Sequence, residues 1–227
     1  MHENKVRIKA VAHALREFSF DLYFVGGAVV SFYADNERVF EHRPTDDIDV
    51  VVEILTRGKY FQAQELLKEM GLTEDVNSKV ICRWKYQGIT IDIMPLNPDI
   101  LGFSNRWYSH GIKNSIDQRI DDLTSVQIFS FPCFLATKLE ALNNRNVDWR
   151  YSKDFEDIIK VLESRGRAID DIDTSNIEIK RFIIQEFKKI KTKERFLIEA
   201  IDAILYPNQS EYRTNKIMAK IDHIIAL

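Results

Sequence analysis

The sequence predicts an α+β protein in two lobes: a mixed β-sheet with flanking helices over residues 1–123, and a helical lobe over residues 124–227. Two observations carry this. Up to about residue 123, β-branched and apolar runs of strand length alternate with helical patterns, and two of these runs carry carboxylates: Asp47-Ile48-Asp49-Val50-Val51-Val52, and Ile89 to Met94 with Asp92 at its centre. Beyond that point, apolar residues recur at helical spacing almost to the C-terminus.

Taken in order, Val6, Ile8, Val11, Ala12, Leu15 and Phe18 fall roughly on one stripe and predict a helix from Val6 to Phe18. Asp21 to Val25 reads as a short strand, Gly26-Gly27 as a turn, and Ala28 to Tyr33 as the start of a helix. A strand, a glycine pair and a helix in succession aim backbone N–H groups and the positive helix end at an anion. Two glycines also serve a tight turn for its own sake, and the residues alone leave both readings open. Arg38 to Thr45 is a polar loop, with Pro44 holding Arg43 extended. The acidic strand follows, from about Ile48 to Ile54.

Tyr60 to Met70 predicts an amphipathic helix facing inward through Phe61, Leu66, Leu67 and Met70, with Gly71 past its end. Lys79 to Tyr86 and Ile89 to Met94 predict two strands joined in a hairpin by Gln87-Gly88, with Pro95 closing the second. Asn97 to Asp122 reads as irregular, with Trp107, Tyr108 and His110 close together. Val126 to Phe129 predicts a last strand. Ser130 and Pro132 then open a helix from Phe134 to Asn143, and Ser152 caps another from Lys153 to Ser164. Asn176 to Ile190, Glu194 to Leu205 and Tyr212 to Ala226 complete the helical half, Pro207 separating the last two.

Composition narrows the function classes. A chain of 227 residues with 45% hydrophobic and 30% charged residues is ordinary for a folded soluble protein. A net charge of −3 excludes a wholesale basic coat for nucleic acid but leaves room for a local basic face among 32 Lys and Arg. The polar N-terminus does not read as a signal peptide, and the longest apolar run, Phe24 to Ala34, is too short to span a bilayer. Cys82 and Cys133 lack metal or CxxC spacing and read as buried free thiols. A cytoplasmic protein without a membrane segment is the expectation.

The chemistry concentrates on the acids. Alternation turns Asp47 and Asp49 to one face of their strand, where like charges repel unless a cation, most simply a metal ion, lies between them. Asp92, flanked by isoleucines, also needs a partner or a metal. If the two strands are neighbours in register, the three carboxylates face one spot, an arrangement suited to paired Mg²⁺ ions and in-line phosphoryl displacement. Solvent-facing charges on a half-exposed sheet are the alternative. Lys138, inside an apolar helical run, is either a snorkelling lysine or a phosphate contact. Asp154 and Asp157 share a helix face, where Asp154 also suits the helix start. Arg145, Arg150 and Lys153 form a basic cluster that fits phosphates and solvent equally. His42 and His110 are noted, each reading more as surface than as catalyst. No GxSxG, HExxH, Walker A or zinc-spaced set is present.

Gly26-Gly27, Asp47-Ile48-Asp49 and Asp92 together resemble the nucleotidyltransferase fold of the DNA polymerase β superfamily, with Gly-Gly standing where Gly-Ser is usual. Arg43-Pro44-Thr45-Asp46-Asp47-Ile48-Asp49, Lys138-Leu139-Glu140-Ala141 and Arg150-Tyr151-Ser152-Lys153-Asp154-Phe155-Glu156-Asp157 extend the likeness to the AbiEii/AbiGii-type and MenT-like nucleotidyltransferase toxins. It covers roughly residues 20 to 165. The resemblance implies transfer of a nucleoside monophosphate from an NTP to an acceptor hydroxyl, with Mg²⁺ or Mn²⁺ on Asp47, Asp49 and Asp92. Asp92 would also be a candidate base. Lys138 and Asp154 would complete the catalytic set, and Gly26, Gly27, Arg43, Thr45, Lys138 and Asp157 would meet the nucleotide. The acceptor stays open between RNA such as a tRNA 3′ end, protein and a small molecule, the likeness favouring the first two. An antitoxin partner stays open. Antibiotic modification and nucleotide or nucleic-acid binding without turnover are the rival readings.

Overall fold

The structure, a computed structural model, describes residues 3–36, 40, 43–145 and 147–227. Much of the loop predicted from Arg38 to Thr45, including His42, lies outside the described residues. The chain divides into two compact units: Met1–Val29 with Arg43–Ser130, and Val30–His42 with Phe131–Leu227. The class is α+β.

The first unit holds a seven-stranded mixed sheet. Its strands are β1 (Leu22–Val25), β2 (Asp47–Val52), β3 (Thr73–Glu74), β4 (Arg83–Tyr86), β5 (Ile89–Pro95), β6 (Ser115–Arg119) and β7 (Ser125–Phe129), in the order β3-β4-β5-β2-β1-β7-β6. β2 lies at the centre, parallel to β5 and antiparallel to β1. Ile48, Val50, Val51, Val52, Ile91 and Ile93 are almost fully buried. That explains why strands so rich in β-branched residues form here: packing on both faces rewards stiff, branched side chains. Gln87 and Gly88 both take positive φ, 47° and 81°, the two-residue turn whose twist matches the flanking strands of a hairpin.

The flanking helices are α1 (Glu3–Ala14), α2 (Arg57–Glu69), α3 (Pro98–Leu101) and α4 (Tyr108–Lys113). Four expectations change. The stretch after Gly27 is a 3-10 helix, Gly27–Tyr33, rather than the start of an α-helix. α2 turns inward through Ala63 and Leu67, leaving Phe61 63% exposed. Lys79 to Cys82 lies outside β4. The span read as irregular contains α3, α4 and β6; β6 escapes a period-two reading because its polar residues Ser115, Asp117, Gln118 and Arg119 sit on a sheet edge beside β7 alone.

The second unit is helical: α5 (Phe131–Arg145), α6 (Lys153–Ser164), α7 (Ala168–Asp173), α8 (Ile177–Lys191), α9 (Glu194–Leu205) and α10 (Glu211–Ala226). α5 packs on α6 and α8, and α10 packs on α8 and α6. Tyr33 ties its own segment into this unit. Its buried ring lies 4.5 Å from Phe134, and its carbonyl accepts from Arg165 at 3.0 Å. Asp35 then accepts from the Gly166 N–H at 2.7 Å. Among the described residues, no helix is long and apolar enough to cross a membrane. Both cysteines are free and buried.

Candidate active site

Register builds the acidic face. Asp49 is the direct partner of Asp92 across β2 and β5, and Asp47 pairs with Thr90 two positions earlier. Paired residues point to the same side of a sheet, so Asp47, Asp49 and Asp92 share one face. Asp92 is buried, whereas the Asp47 side chain is 32% exposed.

The cation that such a face demands is supplied by the chain itself. Arg83, on β4, is the cross-strand partner of Asp92. Its Nε donates to Asp92 at 2.8 Å, and its terminal nitrogen donates to Asp92 at 2.7 Å and to Asp47 at 2.7 Å. The hydrogen bonds to Asp92 hold the Arg83 guanidinium well above its ordinary pKa. The sequence reading overlooked Arg83. The signal was there: a two-residue turn at Gln87-Gly88 fixes the hairpin pairing, and counting back from it brings Arg83 opposite Asp92.

Two further devices seat β2. Gly26 takes φ +71°, and a Cβ built on it would fall 1.8 Å from Asp49 Oδ2. The carboxylate of Asp49 therefore lies where only a glycine leaves room. On the approach to β2, Thr45 is buried and donates to Asn4 at 3.4 Å. Asn4 donates to the Arg43 carbonyl at 3.3 Å, and Arg7 donates to the carbonyls of Thr45 and, at 2.9 Å, Asp46. Asn4 and Arg7 of α1 thus hold the loop that delivers the acids, a role that helical periodicity does not mark. Asp46 is exposed, outside the acidic face.

The second unit carries its own charge cluster. Lys138 is buried on α5, 3.1 Å from Asp154 and 2.7 Å from Asp157, and Arg145 reaches Asp154 at 2.9 Å. This removes the snorkelling reading: the ammonium points into carboxylates rather than to water. Ser152 caps α6, accepting from the Phe155 N–H at 3.2 Å, which fixes the first turn bearing Asp154. The basic cluster is divided. Arg145 belongs to Asp154, while Arg150 is held by Asp148 at 2.6 Å, a pairing that lowers the Asp148 pKa. His110 stands edge-on to Trp107 with ring centres 5.3 Å apart.

Three carboxylates on one face of adjacent strands are the right donors for a hard divalent cation, and the Gly26 cradle leaves space for one of them. The donor set fits such an ion in chemistry and register. In the arrangement shown, however, Arg83 engages two of the three. Among the described residues, no three acidic, His or Cys groups converge into a ready-made cage.

The fold has solved counterparts. An antigenic nucleotidyltransferase-like protein from Paracoccidioides brasiliensis superposes with a TM-score of 0.54 at 16% identity, covering 88% of this chain and 93% of that one. The antibiotic-resistance factor ANT(2'')-Ia superposes with a TM-score of 0.50 at 14% identity, covering 84% of this chain and 96% of that one. At such identities the likeness is one of fold. No curated protein matches the sequence. The family profile described as nucleotidyl transferase AbiEii toxin, type IV TA system, matches residues 10–222, and so includes the terminal helices that the resemblance read from the sequence did not reach. With a matching sequence profile over nearly its full length and the acids presented on a nucleotidyltransferase sheet, the chain belongs to the AbiEii nucleotidyl transferase toxin family of type IV toxin–antitoxin systems.

Proposed function

We propose that this nucleotidyltransferase moves a nucleoside monophosphate from an NTP to an acceptor hydroxyl on RNA or protein, releasing pyrophosphate. The supporting observation is the pairing of Asp49 with Asp92, with Asp47 on the same face. Asp47, Asp49 and Asp92 would hold Mg²⁺ or Mn²⁺, which when bound favours the attacking alkoxide and offsets charge on the leaving pyrophosphate. Asp92, the most buried of the three, is the candidate base toward the acceptor hydroxyl. Gly26 and Gly27 let backbone approach a phosphate without a side chain intervening. Arg43 and Thr45 fix the loop before β2 and complete the nucleotide contacts.

In the helical unit, Lys138 supplies positive charge to the triphosphate, while Asp154 and Asp157 set its position. Membership of a toxin–antitoxin family adds an antitoxin as the proposed partner.

The test is incubation with each α-labelled NTP, Mg²⁺ and total RNA. Label is expected in RNA or in protein, and Asp47→Ala is expected to abolish it. Label entering neither, with Asp47→Ala indistinguishable from the parent, would overturn the proposal. Transfer to an added antibiotic alone would reassign the acceptor to a small molecule.

A further inference from the structure

The acidic face is not waiting bare for an ion. Arg83 Nε and one terminal nitrogen grip both oxygens of Asp92, at 2.8 and 2.7 Å, and the same terminal nitrogen reaches Asp47 at 2.7 Å. The Arg83 side chain is 22% exposed and that of Asp92 8%, so water screens the contact only in part. Lys85, two residues along β4 and thus on the same side, is held by Asp75 at 2.9 Å. Arg83 carries one positive charge against at least two carboxylates, so the face remains attractive to a further cation. A divalent ion that takes oxygens of both Asp47 and Asp92 competes for the lone pairs that Arg83 already uses.

We propose that Arg83 is an internal counter-ion of this face that occupies Asp47 and Asp92 and yields them to the divalent cation, so that metal binding is a replacement rather than a simple addition. The proposal rests on reading the acidic face as the metal site of nucleotidyl transfer. It carries a sign that a merely structural arginine would not show. Truncating a structural residue loosens the carboxylates and weakens metal binding. Removing a competitor strengthens it, because the bare carboxylates regain full affinity for the ion.

The experiment titrates the full chain with Mn²⁺ alone, without nucleotide, reading free Mn²⁺ by electron paramagnetic resonance. Arg83→Gln is expected to lower the Mn²⁺ Kd by about tenfold or more, because a charge-assisted fork is lost. Arg83→Lys keeps the charge without the planar fork and is expected to lie between, about threefold tighter than the parent. If Arg83→Gln does not fold, the Arg83→Lys comparison decides alone. Asp92→Asn on either background is expected to weaken binding. Parent and variants with equal or weaker Mn²⁺ affinity, all weakened by Asp92→Asn, would overturn the role of Arg83 and leave the metal site standing. No Mn²⁺ binding by any of these proteins would overturn both.

Discussion

Asp49 and Asp92 stand directly opposite one another across parallel strands β2 and β5. Two carboxylates at that separation are unfavourable in isolation, and the rest of the sheet is arranged around that cost. Glycine clears room for one, arginine compensates the other, and the strand beneath them is anchored in a dry core.

Gly26 is the most constrained backbone position of this arrangement. Alanine there adds a Cβ on top of the Asp49 carboxylate, at a φ that L-residues rarely take. Gly26→Ala is expected to cost about 1–3 kcal/mol through strain and overlap, and to displace Asp49. Chemical denaturation checks the first effect. NTP turnover by the folded fraction checks the second, with a fall of about tenfold or more expected from misplacement of a reacting group.

Lys138 pairs with two nearly buried carboxylates, Asp154 and Asp157, and shares Asp154 with Arg145. Lys138→Met leaves Arg145 beside Asp154 and deprives Asp157 of the lysine. A loss of about 3–5 kcal/mol is expected on breaking a buried pair from one side. Asp157→Asn in the same protein is expected to recover part of it by removing the buried carboxylate that has lost the lysine. Melting curves of the single and double variants decide: a double variant less stable than Lys138→Met alone would contradict the pairing.

Ser152 is the N-cap that sets the start of α6. Ser152→Ala is expected to cost about 1 kcal/mol, the usual value of a lost side-chain cap. It acts on the turn that carries Asp154, so turnover is expected to fall along with thermal stability.

Cys82 adjoins Arg83 in the sequence. Burial first, then the charges of Asp92 and Asp49, push its thiol up to about 12. A raised pKa keeps the thiol protonated as pH climbs, and only the thiolate is nucleophilic. Alkylation of Cys82 in the native protein is therefore expected to stay far slower than in the unfolded chain throughout about pH 7 to about pH 9, because only a trace of its thiolate is present there, while the unfolded chain levels off as pH passes its ordinary cysteine pKa. Mass spectrometry of iodoacetamide-treated native and denatured protein reads this directly. Equal rates in the two states would contradict it.

The acidic strands were legible in sequence because a carboxylate among β-branched residues conflicts with its surroundings, and such conflicts mark sites. The hairpin was legible through Gln87-Gly88. Arg83 carries no such conflict, because one arginine in a polar strand end looks ordinary until its pairing with Asp92 is counted. Asn4 and Arg7 left no local signal: they act on Thr45, Arg43 and Asp46 about forty residues away, through contacts that only the tertiary fold creates. β6 was hidden by its exposure, since an edge strand with polar residues shows no clear alternation. The compositional change near residue 124 falls one strand early, since β7 (Ser125–Phe129) still precedes the first long helix at Phe131. It gives no hint that the two units interleave, with Val30–His42 grouped with Phe131–Leu227. That link rests on Tyr33 and Asp35 and their partners Phe134, Arg165 and Gly166.

The most direct test is the rate of pyrophosphate release by Asp49→Asn, measured with NTP, Mg²⁺ and acceptor RNA beside the parent and Asp46→Asn. Asp49→Asn, with an unchanged circular dichroism spectrum, is expected to lose at least about 10²-fold in rate, whereas the exposed Asp46 is expected to tolerate the same change within about twofold. An Asp49→Asn protein that releases pyrophosphate as fast as the parent would contradict the assignment of the acidic face as the reaction centre.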